Sequence, residues 1–310
     1  MKILVTGGSG LVGTGIKTIS NEYNYEFIFL TSKDCDLTNY DETYKLFEKE
    51  QPDFVIHLAA YVGGIFLNMK HKVDILEKNL LINYNVVNCS HIFNVKKLIA
   101  CLSTCIFPDK TTYPIDESML HDGPPADTHY TYAYTKRLME VHCKAYCENY
   151  DDNFICIIPT NIYGPNDNYS LEDGHVLPAL IHRCYLAKKN NEKFIVKGTG
   201  KALRQFIYAE DLAKLILLVL EKYNEKSSLI LSVDENTEYS IEYIARLVSK
   251  CFDYEKNIDF DSNYSDGQLK KTASNKKLIE YLGDFKFMDI EDGIKTSVEW
   301  FINNYESARK

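Results

Sequence analysis

The sequence predicts an α/β protein built on a doubly wound parallel sheet, with a smaller discontinuous C-terminal unit beside it. Three observations carry that expectation. Short apolar runs rich in Val, Ile and Phe alternate with longer amphipathic stretches through about residue 160. The first of these runs passes at once into a glycine-rich turn that opens a helical pattern. Beyond Pro159 the rhythm breaks into a turn-rich excursion, which marks where a second unit leaves the first.

Taken in order, "KILVT", "YEFIFL", "DFVIHLA", "KLIACLS" and "FICIIPT" read as strands. Their near-continuous apolar character suits a parallel sheet covered on both faces. Between them, "YDETYKLFEKE" and "DILEKNLLINYNVVNCSHIF" have helical spacing. After "NIYGPNDNYSLEDGH" a helix is expected near residues 175–189, and "RQFIYAEDLAKLILLVLEKY" reads as a strand end and a helix that rejoin the main sheet. The C-terminal part holds short mixed elements and closes on the amphipathic "IEDGIKTSVEWFINNY". The expected division is residues 1–163 joined by 204–233 as the sheet domain, with 164–203 and 234–310 as the smaller one.

Composition narrows the function classes. With 35 Lys and Arg against 44 Asp and Glu the net charge is −9, the wrong sign for tracking a nucleic-acid backbone. Nine cysteines form no C-x-x-C pair and keep no histidine at zinc-ligand spacing, so neither a metal site nor a disulfide framework is expected. The longest aliphatic stretch, "LAKLILLVL", is far short of a membrane span and contains a lysine. The opening "MKILVTGGSG" lacks the charged and apolar regions of a secretory leader. A reduced, cytoplasmic chain without nucleic-acid or membrane partners is the expectation.

The turn "TGGSGLVG" sets Gly7, Gly10 and Gly13 at G-x-x-G-x-x-G spacing between a strand and a helix. Small residues there let a backbone approach a pyrophosphate, which the helix N-terminus then stabilises. This placement makes the expected sheet Rossmann-type, and Gly7, Gly8, Ser9, Gly10, Leu11, Val12 and Gly13 become candidate dinucleotide contacts. No Lys-Ser/Thr follows the last glycine, which excludes a nucleoside-triphosphate P-loop. About 20 residues on, where an NAD enzyme keeps an acid for the ribose, the second strand ends "LTSKD". Lys33 suits a 2′-phosphate, so NADP(H) is favoured over a merely solvated surface lysine, and Asp36 suits the adenine edge.

In "HYTYAYTKR" only Tyr132 has a lysine four residues later. On a helix that spacing brings the Lys136 ammonium near the phenol and is expected to favour its ionised form. Ser103 stands where the fourth strand runs out, a usual place for a catalytic hydroxyl in such a sheet, and Cys105 follows two residues later. If the backbone remains extended, both side chains face one way. A lone cysteine in an apolar strand is ordinarily a small buried hydrophobe, and a lone histidine near a helix start ordinarily caps or packs.

These residues resemble the extended short-chain dehydrogenase/reductases. The segments "CLSTCIFP", "PTNIYGPNDN", "DGHVLPALIHR", "RQFIY" and "SDGQLKKTASN" narrow the resemblance to the GDP-L-fucose synthase family, over essentially the whole chain. Members of that family convert GDP-4-keto-6-deoxy-D-mannose to GDP-L-fucose by epimerisation at C3 and C5 followed by NADPH reduction at C4. The resemblance implies Ser103, Tyr132 and Lys136 as the reducing set and Cys105 with His175 as the acid/base pair. It also implies Lys136, Pro159, Thr160, Asn161, Ile162 and His175 as cofactor contacts, and Arg183, Arg204 and Asp266 as GDP-sugar contacts. Lys197 falls where the family often has tryptophan, so a stacking contact of the substrate is expected to be altered. A homodimer is implied as well, with the two helices before and through the Tyr132 segment as its interface.

Two rivals stand beside this reading. A nucleotide-sugar dehydratase or 4-epimerase of the same fold would resemble its family in having Asp-Glu right after the Ser/Thr, where this chain reads "STCIFP". A catalytically silent NADP-binding regulator would not need Ser103, Tyr132 and Lys136 together.

Overall fold

The computed structural model describes residues 1–310, the side chains of Ile65 and Phe66 excepted. The chain runs through β1 (Lys2–Thr6), α1 (Leu11–Ile19), β2 (Glu26–Leu30), α2 (Tyr40–Glu50), β3 (Phe54–His57), α3 (Ile65–Lys70), α4 (Lys72–Ile92), β4 (Lys97–Cys101), α5 (Tyr130–Tyr150) and β5 (Phe154–Pro159). It continues with β6 (Asn161–Tyr163), α6 (Val176–Asn190), β7 (Phe194–Lys197), β8 (Leu203–Arg204), β9 (Phe206–Tyr208), α7 (Ala209–Lys222), β10 (Leu229–Leu231) and β11 (Tyr239–Ser240). The last elements are α8 (Ile241–Cys251), β12 (Ile258–Asp261), α9 (Lys276–Leu282) and α10 (Ile290–Asn303).

Six parallel strands form the central sheet in the order β10-β5-β4-β3-β1-β2. Side chains alternate between its faces, so Leu4, Val55, Leu98 and Cys156 pack toward Phe47, Val86 and Met139 on one side. Ile3, Val5, Ile56 and Ile155 pack toward Ile16 and Leu212 on the other. Both faces are covered, which is why the strands read as unbroken apolar runs. The chain leaves β1 for β2 on one side and returns to β3 on the other, with Thr6 in register beside His57. That reversal opens the crevice beyond the strand ends in which ligands of such sheets bind.

One expectation is corrected here. "RQFIY" does not enter the main sheet: β9 pairs with β6 in a separate two-stranded ladder, and the sixth strand of the main sheet is β10. Helix α7 does return to the sheet face, where Leu212 and Ile216 pack with Ile16. Its C-terminal carbonyls are held from below by a buried lysine. The Lys97 ammonium donates to Val219 O at 3.1 Å, Leu220 O at 2.8 Å and Tyr223 O at 2.7 Å. A cation there satisfies acceptors that the helix end cannot and opposes its dipole.

A third apolar cluster joins α6, α8 and α10 through Ile181, Ile244, Val248, Ile294 and Phe301. Among the described residues no helix is long and apolar enough to cross a membrane.

Candidate active site

The glycine turn lies at the mouth of the crevice. Gly7 has φ +71°, and a Cβ there would stand 2.9 Å from the Ala59 nitrogen. A Cβ on Gly13 would stand 2.5 Å from the Gly7 carbonyl, so α1 packs against the turn only without one. Gly10 caps α1 with no side chain over it, leaving the first-turn N–H groups of a nine-residue helix facing outward. Across the crevice, Pro159 ends β5, Thr160 N donates to Leu231 O, and Asn161 bonds Gln205 O through both its backbone and side-chain nitrogens. The Thr160 hydroxyl is buried and has no partner among the described residues. Ile162 follows in β6, half-buried. An uncapped helix start, a turn stripped of side chains and an orphaned hydroxyl fit a dinucleotide lying across the strand ends.

Lys33 is exposed in the turn after β2. Its neighbour Asp34 is folded back onto Thr31, accepting from its nitrogen at 2.8 Å and its hydroxyl at 2.7 Å. Asp36 is likewise turned toward Thr38, at 2.9 and 2.7 Å. Both carboxyls are held below the usual carboxylate range by these hydrogen bonds. The carboxylates on either side of it are thus tied back while Lys33 stays exposed, which suits a 2′-phosphate.

A buried line of hydrogen bonds ties the glycine turn to α5. The Thr6 hydroxyl accepts from Leu58 N and Ala59 N and meets His57 Nδ1 at 2.8 Å, so it donates to that nitrogen. His57 Nε2 then donates to Asn83 Oδ1 at 3.2 Å, and Asn83 donates to the Thr135 carbonyl. Burial, with Lys136 nearby, brings the His57 pKa down to about 3. Among the described residues this imidazole is wholly enclosed, and it stays neutral.

Helix α5 delivers Tyr132 and Lys136, which are 7% and 1% exposed. Lys136 Nζ donates to Cys101 O at 2.7 Å and lies 5.7 Å from the Tyr132 ring centroid. The expectation that Lys136 draws the phenol toward ionisation is not what the chain alone produces. Burial, and then the Cys105 and Cys101 sulfurs, push the Tyr132 hydroxyl well above its ordinary value. Such a phenol holds its proton and is suited to donate it. Burial lowers the Lys136 ammonium, and the neighbouring thiols oppose that effect.

The backbone after Ser103 is not extended, so the condition for Ser103 and Cys105 to face one way is not met. The chain coils into one 3-10 turn, Thr104–Ile106, with the Ser103 hydroxyl capping Cys105 N at 3.4 Å. Serine and thiol are nevertheless neighbours, and the Ser103 hydroxyl works to lower the thiol's pKa. Burial raises the Cys105 pKa, while Lys271, the Ser103 hydrogen bond and Lys136 act against it. Thus the thiol packs at the edge of the core cluster and is held up by burial, with two cations and a hydroxyl opposing that rise.

His175 is the N-cap of α6 and makes no side-chain capping bond. Its ring is open to the cleft, yet the cleft walls desolvate it and, with Lys271, hold its pKa below the ordinary imidazole value. Lys271 therefore stands within electrostatic reach of both Cys105 and His175, and also of Arg204. From the sequence, Lys270 and Lys271 in "LKK" are either a source of positive potential or merely solvated, and neither ranks first among the sugar contacts. The signal was present; the depth of Lys271 in the cleft was not.

Among the expected sugar contacts, Arg183 donates to Leu171 O at 3.1 Å and Arg204 to Leu203 O at 2.7 Å, each keeping further N–H groups. Lys197 closes β7, lies 4.8 Å over the Tyr264 ring and is coupled to Arg183. Asp266 is otherwise occupied: it accepts from Thr199 N at 2.7 Å and Thr199 Oγ1 at 2.5 Å. It shapes the turn after Lys197, where Gly198 has φ +97°. Only its remaining lone pairs face a ligand. No group of three or more His, Cys, Asp or Glu that could hold a metal occurs among the described residues.

The chain matches the model of the NAD dependent epimerase/dehydratase family over residues 3–233. It is 54% identical to a GDP-L-fucose synthase of Dictyostelium discoideum, over 99% of this chain and 97% of that one. It is 47% identical to a probable GDP-L-fucose synthase of Drosophila melanogaster, over 100% and 99%. The crystal structure of a GDP-L-fucose synthetase from Naegleria fowleri bound to NADP superposes with a TM-score of 0.95 at 44% identity, covering 100% of this chain and 95% of that one. A glycine turn open to a dinucleotide, a Ser-Tyr-Lys set at the strand ends and likeness over the full length agree, and the chain belongs to the NAD dependent epimerase/dehydratase family, within it to the GDP-L-fucose synthases.

Proposed function

We propose that this protein is an NADP(H)-dependent enzyme that converts GDP-4-keto-6-deoxy-D-mannose to GDP-L-fucose, inverting C3 and C5 and then reducing C4. The observation that carries the reading is the placement of a thiol, Cys105, in the same turn as Ser103 and beside Tyr132 and Lys136. A reductase alone has no use for it. A carbon alpha to a ketone is inverted by removing its proton and returning one to the opposite face, which asks for one group that takes a proton and another that gives one. Cys105 and His175 supply them, sharing Lys271 as their common cation. The Ser103 and Tyr132 hydroxyls hydrogen-bond the C4 oxygen, stabilising the enolate during inversion and protonating the oxygen during reduction. When bound, NADPH supplies the hydride.

In this reading residues 1–163 with 204–233 hold the cofactor and 164–203 with 234–310 hold the GDP-sugar. Gly7, Gly8, Ser9, Gly10, Leu11, Val12 and Gly13 meet the pyrophosphate, and Lys33 and Asp36 meet the adenosine end. Lys136, the 159–162 segment and His175 flank the nicotinamide. Arg183 and Arg204 fork onto the diphosphate and Lys197 adds charge beside them. Asp266 holds the Lys197 turn and offers one further acceptor. We also place the enzyme in the cytosol, on its nine free cysteines. We read it as a homodimer, because Leu81, Tyr84, Leu138 and Val141 stand exposed on α4 and α5. Sedimentation of the wild type against Leu138→Glu tests the dimer.

The activity is tested with the keto-sugar, NADPH and D2O. Wild type consumes NADPH and yields GDP-L-fucose deuterated at C3 and C5. Cys105→Ser takes up little deuterium while still binding NADPH, and Tyr132→Phe blocks reduction most severely. Unchanged uptake in Cys105→Ser removes the thiol from the mechanism, and an un-inverted 6-deoxy product from wild type removes the epimerase half.

A further inference from the structure

The place of the Cys105 sulfur depends on a single short turn with weak bonds of its own. Ile106 N reaches Ser103 O at 3.2 Å and Phe107 N reaches Thr104 O at 3.4 Å. A turn of that length cannot hold a side chain to the tolerance that proton transfer needs. The carbonyl that ends it is taken from outside, by α5. Arg137 is 7% exposed, and its Nε donates to Ile106 O at 2.6 Å. His129, the residue on which α5 starts, stands near enough to the Cys105 carbonyl for that oxygen to favour its protonated form.

The His129 Nδ1 lies 2.9 Å from the Thr128 hydroxyl. Where Nδ1 accepts from that hydroxyl, Nε2 carries the hydrogen and is free to donate toward the carbonyl. Burial, followed by Lys271, brings the ring to a pKa of about 4, so the single-proton form persists through the neutral range. Residues 129 and 136 are seven apart, about two helical turns, and share a face. From that face Lys136 holds Cys101 O just before Ser103. One helix thus holds the segment at both ends of the Ser103–Cys105 pair.

We propose that Arg137 and His129 are positioning residues for the thiol step: from α5 Arg137 grips the Ile106 carbonyl and His129 stands against the Cys105 carbonyl, so the helix that carries Tyr132 and Lys136 also sets where the Cys105 sulfur stands. The proposal rests on the reading of Cys105 as a proton-transfer group. A displacement of about 1 Å at a reacting centre costs on the order of 100-fold in rate. Loosening either contact therefore slows inversion without touching the groups that reduce.

The test reads the two chemistries separately. Deuterium uptake at C3 and C5 of the keto-sugar reports the thiol step. A single turnover of GDP-L-fucose with NADP+, followed as NADPH absorbance, reports Tyr132 and Lys136 and needs no inversion. His129→Leu and Arg137→Met are expected to lower uptake by about 10- to 100-fold while the single turnover changes by less than about threefold. His129→Gln keeps an N–H near the place of Nε2 and is expected to recover most of the uptake, and Arg137→Lys part of it. Uptake and turnover falling together, or no recovery in His129→Gln, reduces the pair to a general structural role and overturns the proposal. Unchanged uptake in His129→Leu also overturns it, and that variant, at a half-buried helix start, remains informative should Arg137→Met fail to fold. Cys105→Ser run alongside keeps the two ideas apart: if it retains uptake, the reading of the thiol fails, whereas if it loses uptake and His129→Leu does not, only the positioning role fails.

Discussion

Lowering the pH should unfold this protein partly through one histidine, His57. In the folded chain its ring is fully enclosed between Thr6 and Asn83 and titrates at about 3, whereas in the unfolded chain it returns to the ordinary imidazole value of about 6.5. Between those values the unfolded state binds a proton that the folded state refuses, so stability rises with pH across that window and is lost as pH falls. The His57 contribution is complete above about pH 6.5 and declines toward about pH 3. Taking the protein from pH 8 to pH 5 moves about one and a half pH units into the window, and at about 1.4 kcal/mol per unit the loss is about 2 kcal/mol. The control is His57→Gln, which does not titrate. That variant is less stable at every pH through its weakened bonds to Thr6 and Asn83, but its profile should be flatter by about 2 kcal/mol over the same interval. Urea unfolding at pH 8, 7, 6 and 5, with midpoints converted through the measured slope, gives both profiles. The other histidines titrate alike in the two proteins and cancel in the difference. Parallel profiles would refute the argument, since they require His57 to take up its proton equally well folded and unfolded.

Three further outcomes follow from individual contacts. Lys97→Met leaves three carbonyls at the end of α7 without their donor and should cost about 2–3 kcal/mol in urea unfolding, after the ammonium's own desolvation is relieved; a loss below about 1 kcal/mol contradicts the capping role. Lys271→Met removes the strongest influence holding the Cys105 pKa down, so the thiol titrates higher and the pH profile of deuterium uptake moves to higher pH, with uptake at pH 7 slower by about tenfold; an unmoved profile sets Lys271 outside the thiol's field. Lys33→Ala should weaken NADPH binding by about 10-fold or more and leave NADH nearly unchanged, as judged by nicotinamide fluorescence titration; equal loss for both cofactors removes Lys33 from the 2′-phosphate.

Much of the architecture was legible because it is written in local periodicity. Buried parallel strands must be apolar on both faces, so β1 to β5 stood out as unbroken runs, and the glycine turn stood out because its backbone meets Ala59 and its own helix too closely for side chains. Tyr132 and Lys136 were legible for the same reason, being four residues apart on one helix. The turn at Cys105 was not, because an extended segment and a single 3-10 turn differ by a few hydrogen bonds that the neighbouring residues do not dictate.

What pattern could not convey is how much of the site is built from contacts between distant parts of the chain. Lys97 reaches α7 across 122 residues, Gln268 reaches Asp109 across 159, and Lys271 arrives beside Cys105 from the C-terminal quarter. The resemblance implied Asp266 and Arg204 as ligand contacts, and the fold adds that the first is engaged with Thr199 and the second stands beside Lys271. A sequence specifies which side chains can ionise, donate or accept, and with what local spacing. Desolvation and the nearest charge decide what each does, and both depend on which segments meet across the crevice once the chain has folded.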